Sequence, residues 1–379
     1  MVSFLFLFLL LSLLHFTSSH PSIGITYSLP SATAPPPPDK ISSTISTLKF
    51  TSVRLPDPEP SLIKAFSSTK TSLFLSISNP LIPALASNRS VALGWLRRHV
   101  LPFYPRSKIS LISVGNTVLN STNVEDFSPF LLPAMRNLYR GLRENGIDKI
   151  GISTTFAFFS TITTAFPPSS AVFKQSSGDL IIKPVLQFLK QTNSSFLINL
   201  YPCNLFHLNS EIPIGFALFQ DNPFNFRDDS VTGIRYFNLF AMMADAVLTA
   251  MKAMGYENIP VVVAETGWPS SGSEAKEVEA NGVYAEMYLK GLVRHLKSGA
   301  ATPLKKNGVT AVYVYELMDH YGARKWGILS ENMKMKYNLE FSSGVKNCGS
   351  IWISFGAIWF SNWLVFTSMN LIPWHFAEF

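Results

Sequence analysis

The segment Val261-Val262-Val263-Ala264-Glu265-Thr266-Gly267-Trp268-Pro269-Ser270 carries a carboxylate to the end of a run of small and branched apolar residues. Such a run has the composition of a fully buried strand, and Gly267, Trp268 and Pro269 then turn the chain. A charge at that point is unfavourable unless it is paired or put to use. It can be a catalytic carboxylate at the mouth of a β/α barrel, with the Trp268 ring as a flat wall for a sugar. It can equally be a strand-end Glu held in a structural ion pair. The segment by itself leaves both readings open.

A catalytic carboxylate needs a scaffold, and the rest of the chain supplies the pattern of one. Short stretches rich in branched residues recur at 23–27, 52–55, 72–77, 109–115, 149–154, 196–200, 260–265 and 309–317. Helical patterns lie between them at 39–48, 60–67, 90–100, 130–145, 180–191, 233–254 and 278–296. Pro133 is acceptable near the start of its helix, where no amide bond is lost. Eight buried strands alternating with helices predict one α/β domain, a single (β/α)8 TIM barrel. A doubly wound open sheet would want a Gly-rich phosphate turn after its first strand. The chain has Ser28-Leu29-Pro30-Ser31 there, and then the stiff run Pro35-Pro36-Pro37-Pro38.

The ends of the chain read differently from its middle. Residues 1–19 hold an unbroken Phe/Leu run followed by Thr17-Ser18-Ser19, the pattern of a secretory leader. Sequons at Asn88, Asn120 and Asn193 agree with export. Small residues Ser342-Ser343-Gly344 precede an uncharged Trp/Phe/Ile-rich tail, which reads first as the signal for a lipid anchor, with a single transmembrane helix of marginal length or a non-native C-terminus as the alternatives. The expected organisation is a leader at 1–19, a barrel at 20–343 and a tail at 344–379. The expected location is extracellular, at the cell wall or the outer face of the plasma membrane. Two cysteines, Cys203 and Cys348, exclude a disulfide framework. The net charge of +7 comes without a dense basic run, which argues against nucleic acid as a partner. Scattered histidines predict no metal site. No cofactor and a monomeric chain are expected.

A second strand-like stretch ends in Ser113-Val114-Gly115-Asn116-Thr117-Val118. Groups at the ends of this strand and of the Glu265 strand would face each other across a barrel mouth. Retaining glycosidases place two carboxyl groups there, about 5–5.5 Å apart, one as nucleophile and one as acid and then base. From Ile23 to about Phe341 the chain resembles plant glycoside hydrolase family 17, the endo-1,3-β-glucanases. The resemblance rests on Ile23-Gly24-Ile25-Thr26-Tyr27, Val53-Arg54-Leu55, Val114-Gly115-Asn116, Leu132-Pro133-Ala134-Met135, Ile198-Asn199-Leu200-Tyr201-Pro202, Thr232-Gly233-Ile234-Arg235-Tyr236 and the Glu265 segment, in family order.

The resemblance implies that β-1,3-glucan is the partner and that Glu265 is the nucleophile. It also implies an acid/base Glu directly after Gly115-Asn116, where this chain has Thr117. A hydroxyl of very high pKa cannot protonate a departing sugar oxygen near neutral pH. Two further positions depart from the family pattern. Met318-Asp319-His320-Tyr321 keeps Asp319 but has His320 for a Glu, and Ala241 stands where an Asp is usual. Tyr27, Asn116, Tyr201, Trp268 and Asp319 are the candidate sugar contacts. A strand-end Asn can hold the 2-hydroxyl of the reacting sugar. The sequence thus predicts either a hydrolase with an impaired acid step or a non-catalytic glucan binder.

Overall fold

Residues 20–30, 34–119, 126–209, 211–272, 277–299, 302–321, 324–339 and 341 are described by the computed structural model of the protein. The leader, the Asn120 sequon, Cys348 and the tail lie outside them. Each of the eight branched-rich stretches forms a strand: β1 Ser22–Thr26, β2 Ser52–Leu55, β3 Ser72–Ile77, β4 Lys108–Asn116, β5 Gly151–Ala157, β6 Phe196–Asn199, β7 Val261–Thr266 and β8 Val309–Val314. They pair in parallel and close in the order β1-β8-β7-β6-β5-β4-β3-β2, the barrel that the alternation predicts. β5 runs on through Thr155, Phe156 and Ala157, beyond the expected end at Thr154, because β-branched and aromatic residues suit the pleat.

Around this cylinder lie helices α1 Pro38–Thr47, α2 Pro60–Ala65, α3 Ile82–Ser87, α4 Arg89–His99, α5 Ser128–Glu144, α6 Lys183–Thr192, α7 Leu239–Ala253 and α8 Gly282–Lys297, together with shorter turns. Two sequence expectations are corrected. The stretch 233–238 is not helical: Arg235–Tyr236 pairs antiparallel with Arg227–Asp228, and α7 starts only where the Asn238 side chain accepts from Ala241 N at 2.8 Å. α5 starts at Ser128 with Pro129 in its first turn, so Pro133 lies inside the helix. There its missing N–H removes one intrahelical bond.

The core has two compartments. A large outer one fills the space between strands and helices. A small inner one plugs the barrel axis with Phe74, Leu197, Val262, Ala264 and Tyr313. Gly24 is required by this plug, because a Cβ there would lie 2.5 Å from the Tyr313 ring and from Ser52 Oγ. The inward residues alternate along each strand, as the pleat demands. Register also shifts near the strand starts, between Leu73 and Phe74 and between Val309 and Ala311, but two breaks lie toward the strand ends. β4 gains one residue against β5 between the pairs Ser113↔Ser153 and Asn116↔Thr155. β7 gains one against both neighbours: Val263 pairs Ile198 but Glu265 pairs Asn199, and Val312 pairs Val263 but Val314 pairs Thr266. These are β-bulges, which re-aim a side chain at a local kink.

Candidate active site

The two bulges decide which residues face the barrel mouth. Strict alternation from inward Val262 and Ala264 would send Thr266 inward and Glu265 outward. With one extra residue in β7, Glu265 turns inward instead. Thr266 turns out to meet Tyr288 of α8, their hydroxyls 2.6 Å apart. In β4 the extra residue is accommodated by Gly115 at φ 79°, where a Cβ would also lie 2.6 Å from Val118. Asn116 then takes the inward position. Thr117 follows at φ 52°, an unfavourable conformation for a β-branched residue.

Glu265 is 7% exposed and is held from β2, β4 and the turn that follows β6. Arg54 of β2, fully buried with its guanidinium 5.4 Å from the Phe74 ring centroid, donates through Nη1 to Glu265 Oε1. Asn116 Nδ2 donates to the same oxygen at 3.0 Å. Tyr201 OH donates to Oε2 at 2.8 Å. Burial first, and then the Glu265 charge, hold the Tyr201 hydroxyl well above its ordinary range, so it stays protonated as a donor. Asn199 Nδ2 donates to Asn116 Oδ1 at 3.0 Å. That bond fixes which end of the Asn116 amide faces Glu265. The structural ion pair and the functional carboxylate, alternatives in the sequence, are therefore one arrangement. A carboxylate bonded by a buried cation and two neutral donors is held in one orientation, as a nucleophile requires.

Thr117 follows directly on the residue that touches Glu265, so both belong to one mouth. Its hydroxyl donates to the Asn116 carbonyl at 2.8 Å and its N–H to Thr155 O at 2.9 Å. The remaining candidates separate. Tyr201 is half-buried and packs edge-on against Trp326 and Tyr315, at centroid distances of 5.2 and 6.4 Å. These three partly exposed rings form an aromatic wall beside Glu265. Trp268 is not part of it. Its ring is 1% exposed, 5.7 Å from the Tyr288 ring and 5.9 Å from that of Phe206, and Nε1 donates to Glu279 O at 2.8 Å. It buttresses the turn and offers no face to a ligand. Tyr27 is 2% exposed, and burial pushes its hydroxyl up to about 12. Asp319 is clamped by Gly327 N and Lys336 Nζ, each 2.8 Å away.

Arg54, Asn199, Tyr315 and Trp326 were not singled out by sequence reasoning as site residues. Arg54 had a signal: one charge inside an apolar strand must find a buried partner. Trp326 had none. Farther round the mouth, Glu316 follows Tyr315, and His320 Nε2 lies 3.0 Å from Glu316 Oε2. Burial raises Glu316 above the usual carboxylate range. The bond to Glu316 in turn raises His320. Among the described residues there is no group of three or more His, Cys, Asp or Glu that could hold a metal ion.

Parallel closure into eight strands, with a fixed carboxylate at the strand ends beside an aromatic wall, defines a barrel of the glycoside hydrolase class. Comparison with known proteins gives the family: the pattern of glycosyl hydrolases family 17 matches residues 23–341, and the chain belongs to that family. It is 37% identical over 371 residues to glucan endo-1,3-beta-glucosidase 7 of Arabidopsis thaliana, covering 94% of this chain and 71% of that one. It is 38% identical over 336 residues to glucan endo-1,3-beta-D-glucosidase of Olea europaea, covering 87% and 70%. Among solved structures, CJP38, a beta-1,3-glucanase and allergen of Cryptomeria japonica pollen, superposes with a TM-score of 0.78 at 30% identity, over 85% of this chain and 99% of that one.

Proposed function

We propose that the protein is a retaining, endo-acting hydrolase of β-1,3-glucan whose nucleophile is Glu265 and whose acid/base step is impaired at Thr117. The observation that carries this reading is the three-donor clamp on Glu265 at the barrel mouth. In the first half-reaction a Glu265 oxygen attacks the anomeric carbon, and the glycosidic oxygen departs with the bonding electrons. Asn116 lies where it can also hold the 2-hydroxyl of the reacting sugar, and Tyr201, Tyr315 and Trp326 supply faces for pyranose rings. The departing oxygen needs a proton. The Thr117 hydroxyl is turned onto its neighbour's carbonyl and is far too weak an acid to give one. Natural glucan, with a poor leaving group, should therefore react slowly.

The substitution at Thr117 also supports a second reading, a glucan-binding protein without turnover. One experiment separates the two. The purified protein is assayed on soluble β-1,3-glucan and on an aryl β-glucoside with a good leaving group, as wild type, Thr117→Glu and Glu265→Ala. A hydrolase lacking only its acid cleaves the aryl glucoside in a Glu265-dependent way and gains glucan turnover with Thr117→Glu. Glucan affinity with no Glu265-dependent turnover on either substrate supports the binder. Fast wild-type cleavage of natural glucan refutes impairment.

The leader at 1–19 exports the chain, the barrel spans 20–343, and the tail at 344–379 is exchanged for a lipid that holds a monomer at the outer cell surface. Mass spectrometry of the mature C-terminus tests the exchange. A tail found intact rejects it.

A further inference from the structure

The connections that run from each helix back to the next strand gather at the N-terminal ends of the strands, the end of the barrel opposite Glu265. This floor is basic. Lys49, Lys70, Arg106, Lys149 and Lys306 lie in those connections, and Lys108 opens β4. All of them are exposed, and among the described residues none is in an ion pair. Asp148 and Glu257 are the acids of the described connections. Helix-end electrostatics do not account for the excess. A cation offsets the helix dipole within the last turn, and of these only Lys49 stands close behind a helix end.

The floor is also polar. Of the exposed large apolar side chains among the described residues, only Leu304 lies in these connections. A cavity of about 480 Å³ at the floor is lined in part by Lys149 and by the exposed Thr51, Ser110 and Thr310. Such a face has little to insert into hydrocarbon, but a spread of unpaired cations is attracted to a dense anionic surface. The end of the barrel selects that surface. Phe341, the last described residue, packs on Phe50 of the α1–β2 connection, next to Lys49, with ring centroids 4.3 Å apart. The barrel part of the chain therefore ends at its floor, and the tail begins directly after it in sequence.

We propose that this basic floor rests on the anionic phospholipid headgroups of the membrane to which the tail attaches, so that the Glu265 mouth faces away from the bilayer. This rests on the reading of the tail as a membrane attachment. The contact is electrostatic and peripheral. It turns a tethered barrel into an oriented one, with its groove open toward polymer arriving from outside.

The full chain is mixed with vesicles of phosphatidylcholine alone, and of phosphatidylcholine with one quarter phosphatidylserine. Flotation reads attachment. Acylation of lysines by a membrane-impermeant reagent, mapped by mass spectrometry, reads which face is covered. Flotation with phosphatidylcholine alone is expected from the tail. Lys49, Lys149 and Lys306 should be acylated at least about tenfold more slowly on the serine-containing vesicles, since each cation at an anionic surface strengthens contact about fivefold. Lys40, Lys183 and Lys334, outside the floor, should change little. High salt should remove the shielding. Lys49→Gln/Lys306→Gln should weaken docking about thirtyfold and re-expose Lys149, whereas Lys40→Gln/Lys183→Gln should leave Lys149 shielded. Attachment with floor and outer lysines labelled alike overturns the proposal and keeps the tail reading. Shielding of the floor by serine-containing vesicles, without flotation on phosphatidylcholine alone, keeps the docking and rejects the tail as an attachment. No association with either vesicle rejects both. A floor shielded by polygalacturonate and not by phosphatidylserine overturns the proposal in favour of an acidic wall polymer.

Discussion

Replacing Arg54 by Met tests the logic of the clamp. Met keeps the stem of the side chain against Phe74 and removes the only cation bonded to Glu265 among the described residues. Glu265, 7% exposed, would then keep Asn116 and Tyr201 as neutral donors but stand as a buried anion without a counter-charge. Removing one partner of a buried ion pair destabilises by about 3–5 kcal/mol. For a domain of this size each kcal/mol lowers the melting midpoint by about 2 °C, so Arg54→Met should melt roughly 6–10 °C below wild type at neutral pH. The loss has a definite pH signature. In the variant, the stranded carboxylate is stable folded only when it binds a proton. The deficit should be largest at neutral pH and shrink as pH falls toward about 4. The double variant Arg54→Met/Glu265→Gln should recover most of the loss at neutral pH, because no charge remains to be paired. Thermal melts of the four proteins across pH make a complete double-mutant cycle. A deficit that does not vary with pH, or that Glu265→Gln leaves untouched, would refute the idea that charge pairing holds the nucleophile.

Other perturbations probe the frame around the site. Gly24→Ala places a methyl group 2.5 Å from the Tyr313 ring and should cost about 1–3 kcal/mol in chemical denaturation; a smaller residue at 313 in the same chain should restore part of it. Trp268→Phe should lower stability through lost core packing by about 1–3 kcal/mol, while leaving glucan affinity within about twofold; a large affinity loss would restore this ring to the groove. Asp245 is fully buried in α7, and burial raises its carboxyl from 3.8 to about 6. A raised acid favours the fold when protonated, so its ionised form removes stability as pH rises through about 6. The difference amounts to roughly 3 kcal/mol between pH 3 and pH 8. Asp245→Asn should therefore gain on wild type with rising pH in urea titrations, and parallel curves would reject the assignment.

The architecture was legible because buried parallel strands announce themselves by branched residues, and all eight lie where those residues cluster. Helix starts were legible at Pro38 and Pro60, where a proline marks them, but not at the Asn238 and Asn281 caps, since α7 and α8 begin at Leu239 and Gly282 and not at 233 and 278. The start of α7 was misplaced because Gly233 to Asn238 share the apolar character of a helix, while Tyr236 is in fact buried as part of a two-stranded ribbon. The site was legible by residue type and only partly by position. Glu265, Asn116 and Tyr201 meet as their strand ends suggest, whereas Trp268, read as a wall, is core. The aromatic wall is built with Trp326, beyond the last strand, where no periodicity points to it. Neither could alternation show that Glu265 faces inward, since the simple two-residue rhythm of β7 says the opposite.

That rhythm carries a wider consequence. A strand has only two sides, so one inserted residue acts as a change of parity: everything before it is read in one phase and everything after it in the other. In β4 and β7 the change falls between the packed interior and the mouth. The apolar plug and the reactive groups are therefore spelled in different phases of the same strand. Removing a single residue at either kink would leave the interior intact and turn the working groups of that strand toward the helices, unmaking the chemistry while sparing the fold.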